Sequence, residues 1–288
     1  MPIVKRPENL TPPASNRATR VVLLDAVGTV LTLRRSVADC YHEAAQSAGI
    51  DLPKESIRAR FPAAFARHFT PWQQRLPGPW AKQEHEWPAN GEAVSTWLTM
   101  DPMRAKFAEF FSLPVNESLE TNAWESLVTE VLTPLDRPVS HSATNAAFRA
   151  LWDLFAEPTT WKAIEGASDL IARLRSEGIQ VCLASNFDRR LHRILEGFVG
   201  ELDFDQVFVS SDIGFRKPDP RFYQTIVELL AVSPSQMVMV GDRWWEDFAA
   251  PTVVGLKAFL YRQEPANSNR SLDRGPLNCL RTFIDLVR

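Results

Sequence analysis

The chain has 288 residues, of which 45% are hydrophobic, so it is long enough to bury a full core, and we expect one domain with a substantial insertion. Its 32 basic and 35 acidic residues give a net charge of −3 without a dense Lys/Arg stripe, which argues against a nucleic-acid partner. The longest apolar runs have the length of strands, so we expect no membrane-spanning segment.

The chain begins with a proline-containing stretch that has no sustained apolar pattern, which predicts a flexible tail over residues 1–19. No apolar run follows its basic residues, so we do not expect a secretory signal. The three cysteines are odd in number and far apart, at Cys40, Cys182 and Cys279. This usage is typical of reduced thiols and predicts a cytoplasmic protein.

The first strand is predicted at residues 20–25, a continuous apolar run that ends in a carboxylate and suits a strand buried on both faces. Residues 35–160 contain no comparable strand pattern. Apolar residues recur there at helical spacing in three places, Ser36 to Ala48, Leu119 to Val131 and Phe148 to Phe155. We interpret residues 35–160 as a helical cap domain, inserted so that it can close over Asp25.

From residue 161 onward, short apolar runs alternate with helical patterns. Strands are predicted at residues 181–184, 206–210, 237–240 and 258–261, and helices at 166–178, 188–198 and 220–230. Repeated strand–helix units predict an α/β fold with a doubly wound parallel sheet. The predicted core domain comprises residues 20–34 and 161–288.

Polar residues cluster where these predicted strands end. The four segments are Asp25-Ala26-Val27-Gly28-Thr29, Ser185-Asn186, Lys217-Pro218-Asp219-Pro220, and Gly241-Asp242 with Asp247. Open α/β sheets bind ligands at the carboxyl ends of their strands, so we expect the segments to meet there. A glycine after the first strand lets backbone amides approach a phosphate closely.

Together these segments resemble the haloacid dehalogenase-like (HAD) hydrolase superfamily, most of whose members are magnesium-dependent phosphatases. The resemblance covers residues 20–32 and 164–261. Residues 185–191 and 217–221 are similar in particular to the subgroup called HAD-like hydrolase domain-containing protein 3. The resemblance implies a Rossmann-like core and a hydrolase that acts on a small phosphorylated molecule.

The resemblance also implies a role for each polar residue. Asp25 matches the nucleophile, which forms an aspartyl intermediate. Ser185 matches a hydroxyl that donates to a phosphoryl oxygen, and Lys217 matches the lysine that holds nucleophile and transferring group together. The residues expected to contact the substrate are Gly28, Thr29 and Asn186. For Asn186, capping of the following helix remains an alternative.

The metal implied by the resemblance is Mg²⁺, which prefers a few carboxylates together with waters and substrate phosphate. The expected ligands are Asp25, the main-chain carbonyl of Val27, Asp242 and, as a supporting residue, Asp247. Glu246 competes for that last role, because some relatives space the pair by four residues. A main-chain carbonyl does not depend on its side chain, so Val27 leaves the metal site intact.

Val27 nevertheless departs from the family pattern, which places a second aspartate at that position. That aspartate protonates the leaving group and later activates water, and its loss costs about 10²–10⁴-fold in rate. The enzyme then either acts on substrates with good leaving groups, uses another group as acid, or has become a phosphometabolite-binding protein.

Two relatives that lack the same aspartate give alternative enzymatic interpretations. The 2-haloacid dehalogenases need no proton for their halide, but they lack phosphatase-type carboxylates such as Asp242. Phosphonoacetaldehyde hydrolases use a cap lysine, for which the cap offers Lys54, Lys82 and Lys106. The sequence favours a magnesium-dependent phosphatase acting through Asp25, as a monomer or homodimer without nucleic-acid or membrane partners.

Overall fold

The computed structural model describes residues 19–76, 101–134 and 136–261. The tail predicted at residues 1–19 lies outside them except for Thr19. Residues 77–100, which include Lys82, and residues 262–288, which include Cys279, lie outside them as well. The strands are β1 (Val21–Leu24), β2 (Leu31–Leu33), β3 (Trp161–Ala163), β4 (Gln180–Ser185), β5 (Gln206–Val209), β6 (Met237–Gly241) and β7 (Lys257–Leu260).

The helices of the insertion, residues 35–160, precede those of the core. They are α1 (Val37–Ser47), α2 (Lys54–Phe69), α3 (Asp101–Phe110), α4 (Glu117–Leu132) and α5 (His141–Ala156). The core helices are α6 (Ala167–Ser176), α7 (Arg190–Glu196), α8 (Ser210–Ile213), α9 (Pro220–Leu230) and α10 (Ala250–Val254), with a π-helix at Trp244–Ala249. No helix among the described residues is long and apolar enough to cross a membrane.

The predicted parallel α/β sheet is confirmed. Five strands lie in the order β5-β4-β1-β6-β7, and each neighbouring pair is parallel. Strand β1 is central, and its four residues are fully buried because alternate side chains enter two cores. Val22 and Leu24 pack with α6 and α7, whereas Val21 and Leu23 pack with α9 and α10. Burial on both faces explains the continuous apolar run.

A two-stranded antiparallel ribbon of β2 and β3 was not predicted from the sequence. It pairs Leu31 with Ala163 and Leu33 with Trp161. Just beyond it the Arg34 N–H donates to the Thr160 carbonyl at 3.0 Å. Three-residue strands are too short to show a reliable alternation, so only their pairing reveals them. The ribbon joins the two ends of the insertion beside the end of β1.

The insertion is helical in its described residues and packs mainly on itself. Helices α1, α2, α4 and α5 enclose one apolar cluster around Tyr41, Leu127 and Leu151. A second part of the insertion belongs instead to the core, because Trp72, Phe107 and Phe111 pack against Trp245. The insertion therefore touches the core next to the predicted metal-binding residues.

One predicted helical stripe is wrong at its first position. Leu119 was expected on the buried face of α4, but it is 50% exposed, while its neighbour Glu120 is 1% exposed. Glu120 is buried because its carboxylate meets Arg216 from the core. The charged partner, which lies far away in the sequence, decides which side of this helix turn faces inward.

Candidate active site

Asp25 lies directly after β1, at the carboxyl edge of the sheet. Its N–H donates to the Val240 carbonyl at 2.8 Å, and the residue is 6% exposed. Register places two other predicted site segments beside it, since Leu24 pairs with Leu183 of β4 and with Val240 of β6. Ser185 ends β4 and is buried. The sheet thus brings the first, second and fourth segments to one edge.

The turn after Asp25 requires a glycine for two reasons. Gly28 has φ +96°, in the left-handed region that side chains avoid. A Cβ at Gly28 would also lie 2.6 Å from Asp242 Oδ2, so only glycine lets that carboxylate approach the turn. Thr29 is fully buried, and its hydroxyl has no hydrogen-bond partner among the described residues.

Lys217 connects two of the predicted carboxylates. Its Nζ donates to Asp25 Oδ1 at 2.7 Å and to Asp247 Oδ1 at 2.6 Å. It also donates to the carbonyl of Ala184 at 3.0 Å, so three acceptors match its three hydrogens. Burial disfavours the ammonium, but Asp247 and Asp25 outweigh it and raise the pKa of Lys217 above its ordinary value. The lysine therefore stays charged.

Asn186 holds Lys217 from the other side. Its Nδ2 donates to the Lys217 carbonyl at 2.8 Å, and its Oδ1 accepts from the Lys217 N–H at 2.7 Å. Asn186 does not cap the following helix. Helix α7 begins at Arg190, and the Arg190 N–H donates to Asp188 Oδ1 at 3.0 Å. Asn186 therefore fixes the backbone from which the lysine extends.

Three carboxylates form the acidic part of the site. Asp25, Asp242 and Asp247 each offer an oxygen within 4.8 Å of the others. Asp247 comes from the π-helix and packs against the end of β6, where a Cβ on Gly241 would lie 2.3 Å from its carboxylate. Glu246, the competing residue, directs its carboxylate to Arg243 Nε at 3.2 Å. Asp247 is therefore the member of the cluster.

Burial and neighbouring carboxylates raise the pKa of two members of this cluster, Asp242 and Asp247. Burial, followed by Asp25 and Asp247, raises the pKa of Asp242 well above its ordinary value. Burial also raises the pKa of Asp247 to about 7, against the opposing effect of Lys217 and with help from Asp25. The single positive charge of Lys217 is thus outnumbered by the three carboxylates of the cluster.

This donor set fits a hard divalent cation. Carboxylate oxygens are the ligands that Mg²⁺ prefers, and Asp242 Oδ1 is buried without a hydrogen-bond partner among the described residues. Val27, predicted to contribute its carbonyl, is 41% exposed. An apolar side chain there supplies no proton.

Sequence reasoning missed two residues that support the site. Arg216, next to Lys217, carries a side chain only 12% exposed that is paired with Glu120 of the insertion. The sequence analysis assigned no role to either residue. The position of Arg216 beside the lysine is the one signal in the sequence that could have drawn attention to it.

The chain is similar to a known hydrolase family over most of its length. A model of the haloacid dehalogenase-like hydrolase family matches residues 19–255. Human haloacid dehalogenase-like hydrolase domain-containing protein 3 is 26% identical over 241 residues, which covers 84% of this chain and 81% of that protein.

Two further similarities are more distant. Glyceraldehyde 3-phosphate phosphatase from Methanothermobacter thermautotrophicus is 33% identical over 67 residues, covering 23% of this chain and 30% of that protein. A solved L-2-haloacid dehalogenase superposes with a TM-score of 0.54 at 17% identity, covering 94% of this chain and 99% of the other. At that identity the superposition shows a shared fold alone.

Proposed function

This chain belongs to the haloacid dehalogenase-like hydrolase family, and we propose that it is a magnesium-dependent phosphatase acting through Asp25. Its substrate in this proposal is a small phosphorylated metabolite whose leaving group departs without a strong acid. Acyl and aryl phosphates have this property. Curated relatives that carry phosphatase names support the reaction class, and the residues around Asp25 support the mechanism.

The observation that carries the proposal is the position of Lys217. A buried lysine between Asp25 and Asp247 forms an ion pair with each and holds the Asp25 carboxylate in a fixed direction. Because Lys217 holds Oδ1 of Asp25, Oδ2 is the oxygen left for attack. A nucleophile held in place by a neighbouring charged group is the arrangement expected for covalent catalysis.

In the proposed reaction, Asp25 Oδ2 forms a bond to phosphorus while the bond to the leaving oxygen breaks with its electron pair. The Thr29 hydroxyl and the Ser185 hydroxyl lie at the same edge of the sheet and can donate to phosphoryl oxygens. Water then attacks the phosphoaspartate, which releases inorganic phosphate and regenerates Asp25. Lys217 balances the charge of Asp25 whenever the carboxylate is free.

The metal proposed for the site is Mg²⁺, held by Asp25, Asp242, Asp247 and the Val27 carbonyl. When bound, it neutralises phosphoryl charge and orients the phosphate for in-line attack. The three carboxylates around one lysine support this assignment, because Asp25, Asp242 and Asp247 each offer an oxygen within 4.8 Å of the others.

Val27 narrows the substrate range in this proposal. No carboxylic acid stands two residues after the nucleophile, so the leaving group departs as an anion or takes a proton from elsewhere. An aryl or acyl leaving group tolerates this, whereas a simple alkoxide does not. The exposed apolar side chain of Val27 also offers a nonpolar contact for such a leaving group.

The structural observations do not favour the two enzymatic alternatives. A dehalogenase has no use for the carboxylates of Asp242 and Asp247 in a metal-binding arrangement. A Schiff-base mechanism needs a free lysine, but Lys54 is ion-paired with Asp39, and Lys106 lies on an exposed part of α3. Lys82 lies outside the described residues.

The test uses an aryl phosphate with and without Mg²⁺, on the wild type and Asp25→Asn, with acid quenching to trap a phosphoenzyme. We expect Mg²⁺-dependent turnover and an acid-stable, hydroxylamine-sensitive phosphoenzyme in the wild type, and neither in Asp25→Asn. Asp205→Asn is the matched control. Asp205 accepts the Val181 N–H at the opposite edge of the sheet, so this variant should keep its turnover.

Absence of turnover across aryl, acyl and alkyl phosphates, without a trapped phosphoenzyme, would refute the proposed reaction. Tight Mg²⁺-dependent binding of a phosphorylated ligand under those conditions would instead identify a phosphometabolite-binding protein. Turnover that survives in Asp25→Asn would show that another residue is the nucleophile.

A further inference from the structure

Leu113 of the insertion uses its main-chain groups to bond residues on both sides of Lys217. The Leu113 carbonyl accepts from the Arg216 N–H at 3.1 Å, and the Leu113 N–H donates to Asp219 Oδ2 at 2.7 Å. A second main-chain bond nearby runs from the Val115 N–H to the Gly214 carbonyl at 3.0 Å. The segment that carries the lysine is therefore attached to the insertion immediately before and after it.

Glu120 adds a buried ionic contact to the same segment. Its Oε1 accepts from Arg216 Nη2 at 2.5 Å, and the Ser210 hydroxyl lies 3.3 Å from the same oxygen. The guanidinium of Arg216 also lies over the ring of Phe69, 5.1 Å from the centroid. Arg216 is thus enclosed by two helices of the insertion, α2 and α4.

The choice of Glu120 over Leu119 as the buried residue is informative. Turning Leu119 inward would bury apolar surface, while a buried ion pair loses much of its Coulomb energy to desolvation. Such pairs contribute little net stability, and their best-supported use is to specify one arrangement of the chain. The arrangement specified here is the position of Arg216 relative to α4.

We propose that Glu120 and Leu113 are positioning residues for Lys217, with Glu120 acting through Arg216. Asn186 holds the lysine backbone from the core, and the insertion holds it from the other side. The three contacts of Nζ span only 2.6 to 3.0 Å, so a small displacement of the backbone breaks them. The insertion therefore helps to position a residue of the proposed catalytic site.

The positioning is tested by amide hydrogen exchange of the full chain, measured by NMR on the wild type and Glu120→Gln. We expect the Arg216 and Lys217 amides to exchange about 10-fold faster in Glu120→Gln, because their local opening becomes easier. The Leu24 amide in the central strand should keep its rate. Glu125→Gln is the matched control, since Glu125 lies on the same helix and its carboxylate accepts from Asn145 Nδ2, within the insertion, at 3.4 Å.

Turnover of the aryl phosphate provides a second readout, and this part depends on the proposed function. We expect kcat to fall about 10–100-fold in Glu120→Gln with little change in KM, since a misplacement near 1 Å costs about that much. Glu120→Gln combined with Arg216→Gln should lose less than the product of the two single losses, because the residues act as one unit.

Each outcome decides one question. Unchanged exchange at Arg216 and Lys217 overturns the proposal, whether or not the enzyme turns over. Equal acceleration at Leu24 overturns it as well, because Glu120 is then a general stabilising residue. If Glu120→Gln does not fold, the same amides are measured in Arg216→Lys. This variant keeps the positive charge but loses the planar guanidinium that contacts Glu120. A wild type without turnover refutes the phosphatase alone, and the exchange experiment still applies.

Discussion

Replacing Asp242 with asparagine should stabilise the metal-free protein and abolish the stabilisation that Mg²⁺ gives to the wild type. In the metal-free protein, Asp242 Oδ1 is buried without a hydrogen-bond partner among the described residues, close to the other two carboxylates. Such an unsatisfied group costs about 1–3 kcal/mol. The asparagine amide removes the charge and can donate to a neighbouring carboxylate, so Asp242→Asn should recover about that amount.

The expected shift in Tm follows from the length of the chain. A protein of 288 residues has an entropy of unfolding of about 0.6 kcal/mol/K, so 1–3 kcal/mol corresponds to about 2–5 °C in Tm. In EDTA, the Tm of Asp242→Asn should exceed that of the wild type by this difference. At a Mg²⁺ concentration of about 100 times Kd, the wild type gains about 2.7 kcal/mol and the variant gains nothing.

The assay is thermal unfolding followed by circular dichroism, in EDTA and in a Mg²⁺ titration. Asp205→Asn is the control for the same chemical change, and it should keep the full gain from Mg²⁺. A lower Tm for Asp242→Asn in EDTA would contradict the argument that Asp242 is electrostatically unsatisfied. An undiminished Mg²⁺ gain in Asp242→Asn would show that the metal binds elsewhere.

Three further predictions use the same protein. Val27→Asp should raise turnover of alkyl phosphates by about 10²–10⁴-fold while changing aryl phosphates little, since it restores an acid that only poor leaving groups need; equal gains on both substrates would contradict this. Gly241→Ala places a Cβ 2.3 Å from the Asp247 carboxylate, so calorimetry should detect no Mg²⁺ binding, whereas a retained affinity would show that Asp247 is not needed. The raised pKa of Asp247, about 7 in the folded chain against an ordinary 3.8, means that the folded state holds the extra proton between those values. The stability of the metal-free protein should therefore fall as the pH rises through that window, and the stabilisation by Mg²⁺ should grow, as denaturant titrations across pH would reveal. In Asp247→Asn the fall should be smaller, and a fall equal to that of the wild type would contradict the assignment to Asp247.

The fold was predictable because its main signals are local. A strand buried on both faces must be apolar throughout, so the runs at Val21–Leu24 and Met237–Gly241 are visible without knowledge of their neighbours. Helix α9 begins and ends as predicted, at Pro220 and Leu230, because Asp219 caps it and proline occupies its first turn. The ends of the other predicted core elements moved by one or two residues, as frayed ends usually do, whereas the helix predicted from Phe148 begins earlier, at His141.

The location of the site was also predictable, because parallel strands carry their carboxyl ends to one edge. Asp25, Ser185 and Asp242 each follow a strand, and the sheet register alone brings them together. Lys217 was recognised from its sequence context. Its contacts were not predictable, since the bridge from Asp25 to Asp247 joins segments 192 and 30 residues away from the lysine.

The sequence by itself determined the fold class, the edge of the sheet that holds the site and the residue types available there. Tertiary structure alone decided how those residues are held: Asn186 on the backbone of Lys217, and Glu120 rather than Leu119 turned inward. The physical reason is that periodicity reports which face of a helix is apolar, not what approaches it. Arg216, 96 residues away, makes burial of the Glu120 carboxylate tolerable, and only the folded chain brings the two together.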